Sequence, residues 1–463
     1  MAHIEPFRAL RYDPTRVSLP QVVTQPYDKI TPTMQDGYYA ASPYNLVRVI
    51  LWKEHASDHS GENRYSRASH FFRDWRRQGI FLQDPQPALY LYVQRFTVPG
   101  RTAPGGKTEL ERRGIIALGR VEDYSAGVVF RHEQTLAKPK ADRLELLRAT
   151  HAHFGQLFML YSDPAGEIEG LLAPNGNPDL VTPDLVTADE YGVSHQVWRI
   201  ADPGLINLVR GKMRDKKLVI ADGHHRYETA LNFRNEQRTT GAAGRPGAAP
   251  RERSSQETTG QAFEPGAAPY ELVMMTLVNM DSPGLVILPT HRVVHGLQSF
   301  SPASFREGAS QYFSVEEVDP SVDAARAAVI LREAGRMGTA LLVVMADRVF
   351  LLDRAKLITS NIFEGYSLRQ QALDVVQLHK LLLEGVLGIS EEAIRNQTNV
   401  RYIRDIDEAM AQVRSGAANC AFLMNPARMS QVRDIAFAGE VMPQKSTDFY
   451  PKLLTGLTIY ALE

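Results

Sequence analysis

The chain has 463 residues, too many for one ordinary compact core, so two domains of about 200 residues each, or one domain with large insertions, are expected. With 44% hydrophobic and 23% charged residues it reads as globular, and a formal net charge of -1 gives no electrostatic reason to expect nucleic acid or an anionic membrane as main partner. The single cysteine, Cys420, excludes an internal disulfide, and the start Met1 to Phe7 lacks the apolar run of a secretory signal, so a cytoplasmic location is expected.

In chain order, Pro26-Tyr27-Asp28 and Pro43-Tyr44-Asn45 mark proline-flanked turns. Asp28 is a candidate general base or metal ligand there, or simply a turn residue. Apolar runs at 88–93 and 114–119 flank the polar tract 99–107, the pattern of two strands joined by an extended hairpin loop. Next, Arg131, His132, Glu133, Lys138, Lys140, Asp142 and Arg143 mix cations and carboxylates in a run leading into a helix over 142–151, as either a solvated charged loop or a phosphate site. Strands are expected at 156–161 and 218–221.

The second of these strands runs into Asp222-Gly223-His224-His225-Arg226 and then a helix over 226–236. Asp222 is the expected helix cap. A helix N-terminus offers unbonded N–H groups and a positive dipole end, Gly223 lets a ligand approach the backbone, and Arg226 adds a planar fork of donors, so the turn suits a phosphate. His224 and His225 are candidates to hydrogen-bond or move a proton near neutral pH, and Asp222 to orient an imidazole or hold a metal. The bland alternative is a capped helix with surface histidines and a structural arginine.

Residues 239–269, rich in Gly, Ala, Pro, Ser, Thr and Arg, read as a flexible insertion, either a linker between an N-terminal α/β region, 1–238, and a C-terminal one, 270–463, packed on it, or only a long surface loop. Beyond it, strands are expected at 272–278, 285–288, 341–352 and 420–424, and helices at 374–387 and 429–438. The apolar run from Ala340 to Ala346 stops at Asp347 and Arg348, far short of the roughly 20 residues needed to span a bilayer, and reads as a buried strand leading into a turn. Thr290-His291-Arg292 follows a strand, where ligand contact and structural ion pairing by Arg292 are both open. His379 falls on the core face of its helix, while Lys445, Ser446 and Thr447 form a polar turn suited to phosphate or carboxylate. The class is α/β or α+β with mixed sheets and no internal repeat. No Walker loop, dinucleotide fingerprint, His-Glu-x-x-His or Cys-x-x-Cys is present.

The segments at 25–28, 42–48, 131–143, 221–230, 288–292 and 442–447 together resemble a bacterial and archaeal family known only as a domain of unknown function, number ten-fifteen, over nearly the full chain. The Asp222 to Arg226 turn is in addition similar to the phosphate-contacting turn of the ParB/sulfiredoxin superfamily, which includes nucleotide switches, sulfiredoxins and free-serine kinases. The resemblance implies a phosphate-binding strand-turn-helix unit and phosphoryl chemistry. His224 stands at the position of the sulfiredoxin cysteine, which speaks against that activity. The expected function is a phosphotransferase acting on a small hydroxyl-bearing metabolite, a free-serine kinase forming O-phosphoserine, with Mg2+ and a nucleotide or pyrophosphate as donor. Gly223, Arg226, His132, Lys138, Lys140, Arg143, His291, Arg292, Lys445, Ser446 and Thr447 are the candidate phosphate ligands. Asp222, His224, His225, Glu133 and Asp28 are the candidate catalytic groups, with Glu133 or Asp28 accepting the substrate proton. The alternatives are a metal-dependent phosphatase or phosphodiesterase and a non-enzymatic nucleotide-binding switch. A small-molecule partner is expected, nucleic acid and membrane are not, and the oligomeric state is open.

Overall fold

The computed structural model describes residues 2–99, 109–134, 138–173, 180–243, 268–356 and 361–463, with backbone alone at 138–140 and 241–243. Most of the tract 99–107 and of the insertion 239–269 therefore lies outside the described residues.

Nine described strands form one mixed sheet. They are β1 (Ile4–Glu5), β2 (Leu89–Thr97), β3 (Glu109–Arg120), β4 (Val129–Phe130), β5 (Leu157–Tyr161), β6 (Leu185–Ala188), β7 (Ser194–Ile200), β8 (Leu218–Asp222) and β9 (Leu272–Asn279). Their order is β4-β8-β5-β9-β3-β2-β7-β6, with β1 added beside β3. Pairs β8·β4 and β9·β5 are parallel and the others antiparallel. Strand β9 follows the insertion in sequence, yet it lies in the middle of this sheet between β5 and β3.

The central strands are apolar at nearly every position because both faces are covered. Alternation assigns the faces: Leu157, Met159 and Tyr161 pack with Ile206, Val209, Tyr227 and Ala230, the apolar stripes of helices Pro203–Met213 and His224–Ala243. Phe158, Leu160, Val219 and Met274 face the opposite way.

That opposite face belongs to a core continuous with a second sheet, wholly antiparallel in its described pairs. It contains β10 (His291–Val294), β11 (Ser314–Val318), β12 (Leu341–Val344), β13 (Val349–Asp353), β14 (Val400–Ile403) and β15 (Cys420–Met424), ordered β11-β13-β12-β15-β10-β14. The β run expected at 341–352 is a hairpin. Asp347 and Arg348 are polar and exposed, and the chain reverses there through Met345 N–H donating to Arg348 O at 2.8 Å. The helix expected at 374–387 is α-helical over Asp374–Gln377 and then π-helical over Leu378–Val386, with His379 buried among leucines as its spacing predicts.

After β15 and helix Met429–Phe437, the chain returns to segments that flank the first sheet, pairing with them outside it. Met442 N–H donates to His132 O at 2.7 Å, Asp448–Tyr450 pairs with Val286–Leu288, Thr455 exchanges backbone bonds with Thr24, and Tyr460–Ala461 pairs with Ala152–His153. This return puts C-terminal side chains beside the end of β8.

Candidate functional site

Between Ile220 and Asp222 the pairing of β8 with β5 slips by a residue, a bulge that re-aims the strand end. Gly223 follows with φ of 96°, a region L residues rarely adopt, and a Cβ there would sit 3.0 Å from both Arg226 Nε and Leu157 Cδ2. The Arg226 side chain thus folds back over the turn, and its Nη1 donates to Gln156 O at 2.5 Å. The helix's first internal bond runs from Tyr227 N–H to Gly223 O at 2.9 Å, so the amides of 224 to 226 precede it.

Asp222 does not cap this helix in the expected way. Its Oδ1 accepts the N–H of the very next residue, Gly223, at 2.8 Å, because the bulge turns the carboxylate back on its own peptide. Its Oδ2 faces Lys452 Nζ at 3.7 Å, and the same ammonium lies 3.1 Å from Asp448 Oδ1. Burial alone would raise the Asp222 carboxyl, but Lys452, Arg226 and Lys29 hold it well below the carboxylate range. Asp448, likewise buried, is held down to about 2 by Lys452, Lys29 and Arg404. Burial would lower the Lys452 ammonium, yet the two aspartates raise it, while Lys29 is lowered by burial and by the charge of Lys452. Asp28 is exposed and its charge acts on both lysines.

On the other side of the turn, the rings of His224 and His132 lie 5.0 Å apart. Burial, then the neighbouring His132, keeps His224 well below the usual imidazole range, and its buried Nε2 has no hydrogen-bond partner among the described residues. His132 is fully enclosed between Ile220 O, 2.7 Å from Nδ1, and Thr447 Oγ1, 2.7 Å from Nε2. Glu133 Oε1 accepts from the Thr447 N–H at 2.8 Å and hydroxyl at 2.7 Å.

Thus Asp28, His132, Glu133, Asp222, Gly223, His224, Arg226 and Thr447, candidates spread over more than 400 positions, converge. Others are committed elsewhere. Arg143 donates to Ile50 O at 2.7 Å and to Asp142 and lies 4.2 Å over the Tyr27 ring, although it also lines, with Pro26, Phe154, Gly155 and Arg226, a partly open pocket. Arg292 is buried over the Tyr402 ring and donates to Lys445 O at 2.9 Å. Lys445 has φ of 59°, and the Ser446 hydroxyl donates to Pro443 O at 2.5 Å. His291, expected at an open strand end, is instead fully buried and paired within β10, its Nδ1 accepting the Met424 N–H at 3.2 Å. The side chains of Lys138 and Lys140 lie outside the described residues, and His225 stands in the first helical turn. Sequence reasoning missed Lys452, Lys29 and Asp448, because a lone lysine after Pro451 and an isolated aspartate look like loop residues until the return of the tail seats them beside Asp222. No group of three or more His, Cys, Asp or Glu residues among the described residues is gathered to hold a metal, and no described helix is long and apolar enough to cross a membrane.

The model of a family described as a protein of unknown function, DUF1015, matches residues 4–377. The chain belongs to this family. No curated protein is significantly similar to this DUF1015 chain in sequence. Among solved structures, a conserved hypothetical protein from Pyrococcus furiosus is similar at 10% identity and TM-score 0.35, covering 75% of this chain and 95% of that one. A free serine kinase in complex with AMP is similar at 11% identity and TM-score 0.33, covering 74% and 92%. Likenesses this faint leave the function to be argued from the chain's own residues.

Proposed function

We propose that this chain is a phosphotransferase acting on a small hydroxyl-bearing metabolite, with free serine as acceptor and O-phosphoserine as product. The observation that carries the reading is the cationic surround of one glycine turn: Arg226 folds over Gly223, Lys452 stands beside Asp222, and the charge of Lys29 reaches the same carboxylate. Phosphoryl transfer asks chiefly for positioning and for fixed positive charge around the phosphate oxygens, which such a turn at a helix N-terminus supplies. Asp222, its charge offset by Lys452, serves to shape the turn.

In this reading a nucleotide or pyrophosphate lays its terminal phosphate on the turn. Arg226 neutralises the oxygens, and His224 Nε2, buried and without a hydrogen-bond partner among the described residues, hydrogen-bonds the moving group. The acceptor hydroxyl gives its proton to Glu133 or Asp28, its oxygen bonds to the terminal phosphorus, and the bond from that phosphorus to the bridging oxygen breaks. Mg2+ would enter on the donor's phosphates.

Phosphorus NMR on the purified chain with Mg2+ tests this, offering ATP, ADP and pyrophosphate in turn with serine, then phosphoserine with each product. Phosphate moving to or from serine, and lost in Arg226→Ala, is the expected result. Hydrolysis of phosphoserine to free phosphate would make the protein a phosphatase instead. Nucleotide binding with no turnover in any mixture would make it a binding switch.

A further inference from the structure

The contacts around His132 contain a proton count. Ile220 O, His132 Nδ1, His132 Nε2, Thr447 Oγ1 and Glu133 Oε1 form a chain with three hydrogen-bond distances of 2.7 Å each. Each bond requires one proton. Ile220 O only accepts, so Nδ1 carries a hydrogen. A neutral imidazole supplies that one, the threonine hydroxyl supplies a second, and a carboxylate supplies none. Two protons cannot fill three bonds. The geometry therefore fits a chain holding one proton more than neutral histidine, threonine and ionised glutamate together provide.

We propose that Glu133, Thr447 and His132 form a relay that stores one proton, taken up at Glu133, passed by the Thr447 hydroxyl and held on His132 Nε2. Glu133 is the open end, with its side chain 14% exposed against 0% for His132. A proton from water or from a bound hydroxyl bonds to the Glu133 carboxylate. Glu133 then hands a proton to Thr447 Oγ1 as Thr447 gives its own to Nε2. Glu133 ends anionic again, Thr447 ends neutral, and His132 ends as imidazolium. The Thr447 N–H, bonded to the same carboxylate oxygen at 2.8 Å, keeps the path aligned.

The charges facing the relay come from every side. Glu133 and Asp222 favour the imidazolium, while Lys452 and the neighbouring His224 oppose it, and Arg131 acts on that same His224. Arg292 and Tyr402 of the second sheet face Glu133, and the Phe449 ring closes the apolar side of His132 at 5.9 Å. Burial pushes His132 below its ordinary value, so the stored proton is readily released. The relay stands independently of the phosphotransferase reading. If that reading holds, Glu133 is the group that meets the acceptor, and Thr447 and His132 are positioning residues that carry its proton inward.

The test is nitrogen NMR of the full-length chain labelled at histidine, titrated between about pH 5 and 8, with His132 assigned by the signal lost in His132→Gln. In the native chain Nε2 is expected to gain a proton on acidification while Nδ1 keeps its own. Thr447→Val should abolish that step, and Thr447→Ser should restore it. Glu133→Gln offers a second route should Thr447→Val melt early in circular dichroism. Its amide can donate the third proton permanently, so His132 should stay neutral throughout. A native Nε2 without a proton across the whole range, or a His132 titration unchanged in both Thr447→Val and Glu133→Gln, overturns the relay.

Discussion

The two sheets bury polar side chains in opposite ways. At the end of β8, Asp222, Asp448 and Lys452 are assembled from two distant segments and offset one another's charge. Within the second sheet and the helix Leu378–Val386, His291, Arg292 and His379 are enclosed, and His291 Nε2, Arg292 Nε and His379 Nε2 have no hydrogen-bond partner among the described residues. The first arrangement keeps ions charged in a low-dielectric setting by pairing them, whereas the second keeps histidines neutral by denying them water. The first is thus sensitive to removal of a single charge, whereas the second carries no such pairing and responds chiefly to acid, as His132 and His224 beside the first also do.

The largest break in that contrast is Lys452→Met. It removes the cation shared by Asp222 and Asp448, leaving Arg226 and Lys29 near the first and Arg404 2.6 Å from the second, and a loss of about 3 kcal/mol is expected by urea unfolding. Acid probes the second region. Burial, with the charge of Arg292, holds His291 down at about 4 against 6.5 in the unfolded chain. Because the folded value is the lower one, this contribution is fully present above pH 6.5 and is lost as pH falls toward 4, about 3 kcal/mol in all. His291→Asn should flatten that part of the stability curve.

Smaller effects sharpen the comparison. Gly223→Ala places a Cβ at positive φ, 3.0 Å from Arg226 Nε and Leu157 Cδ2. A cost of about 1 to 3 kcal/mol in thermal unfolding is expected, with displacement of the Arg226 side chain from the turn. At the bottom of the scale, Glu317→Gln breaks an exposed pair with Arg348 at 3.2 Å on the second sheet, and should change stability by less than about 1 kcal/mol, vanishing in high salt.

How much was legible follows from how local each signal is. The strand 420–424, the helix after it and the strand-turn-helix at Asp222 rest on nearest-neighbour patterning, and the chain reads them from apolar spacing and a glycine. The apolar run 341–352 is one stretch in sequence, and the polar pair Asp347 and Arg348 marks the turn that divides it into two paired strands. The helix at His224 extends several residues beyond its periodic stretch, since Arg234 and Arg238 find Asp123 and Glu271 and so continue it. Asp222 looked like a cap because sequence shows residue type but not the bulge that redirects it.

The sequence by itself determined the mixed α/β class, the family resemblance and the turn from Asp222 to Arg226, because each is written in adjacent residues. Tertiary structure alone decided that Thr447, Asp448 and Lys452 meet that turn, that β9 joins the first sheet, and that His291 lies inside the second. Those outcomes depend on long-range backbone pairing, between Met442 and His132 or between Thr455 and Thr24, whose partners lie hundreds of residues apart. A charge that will be buried against such a partner carries no local mark of it.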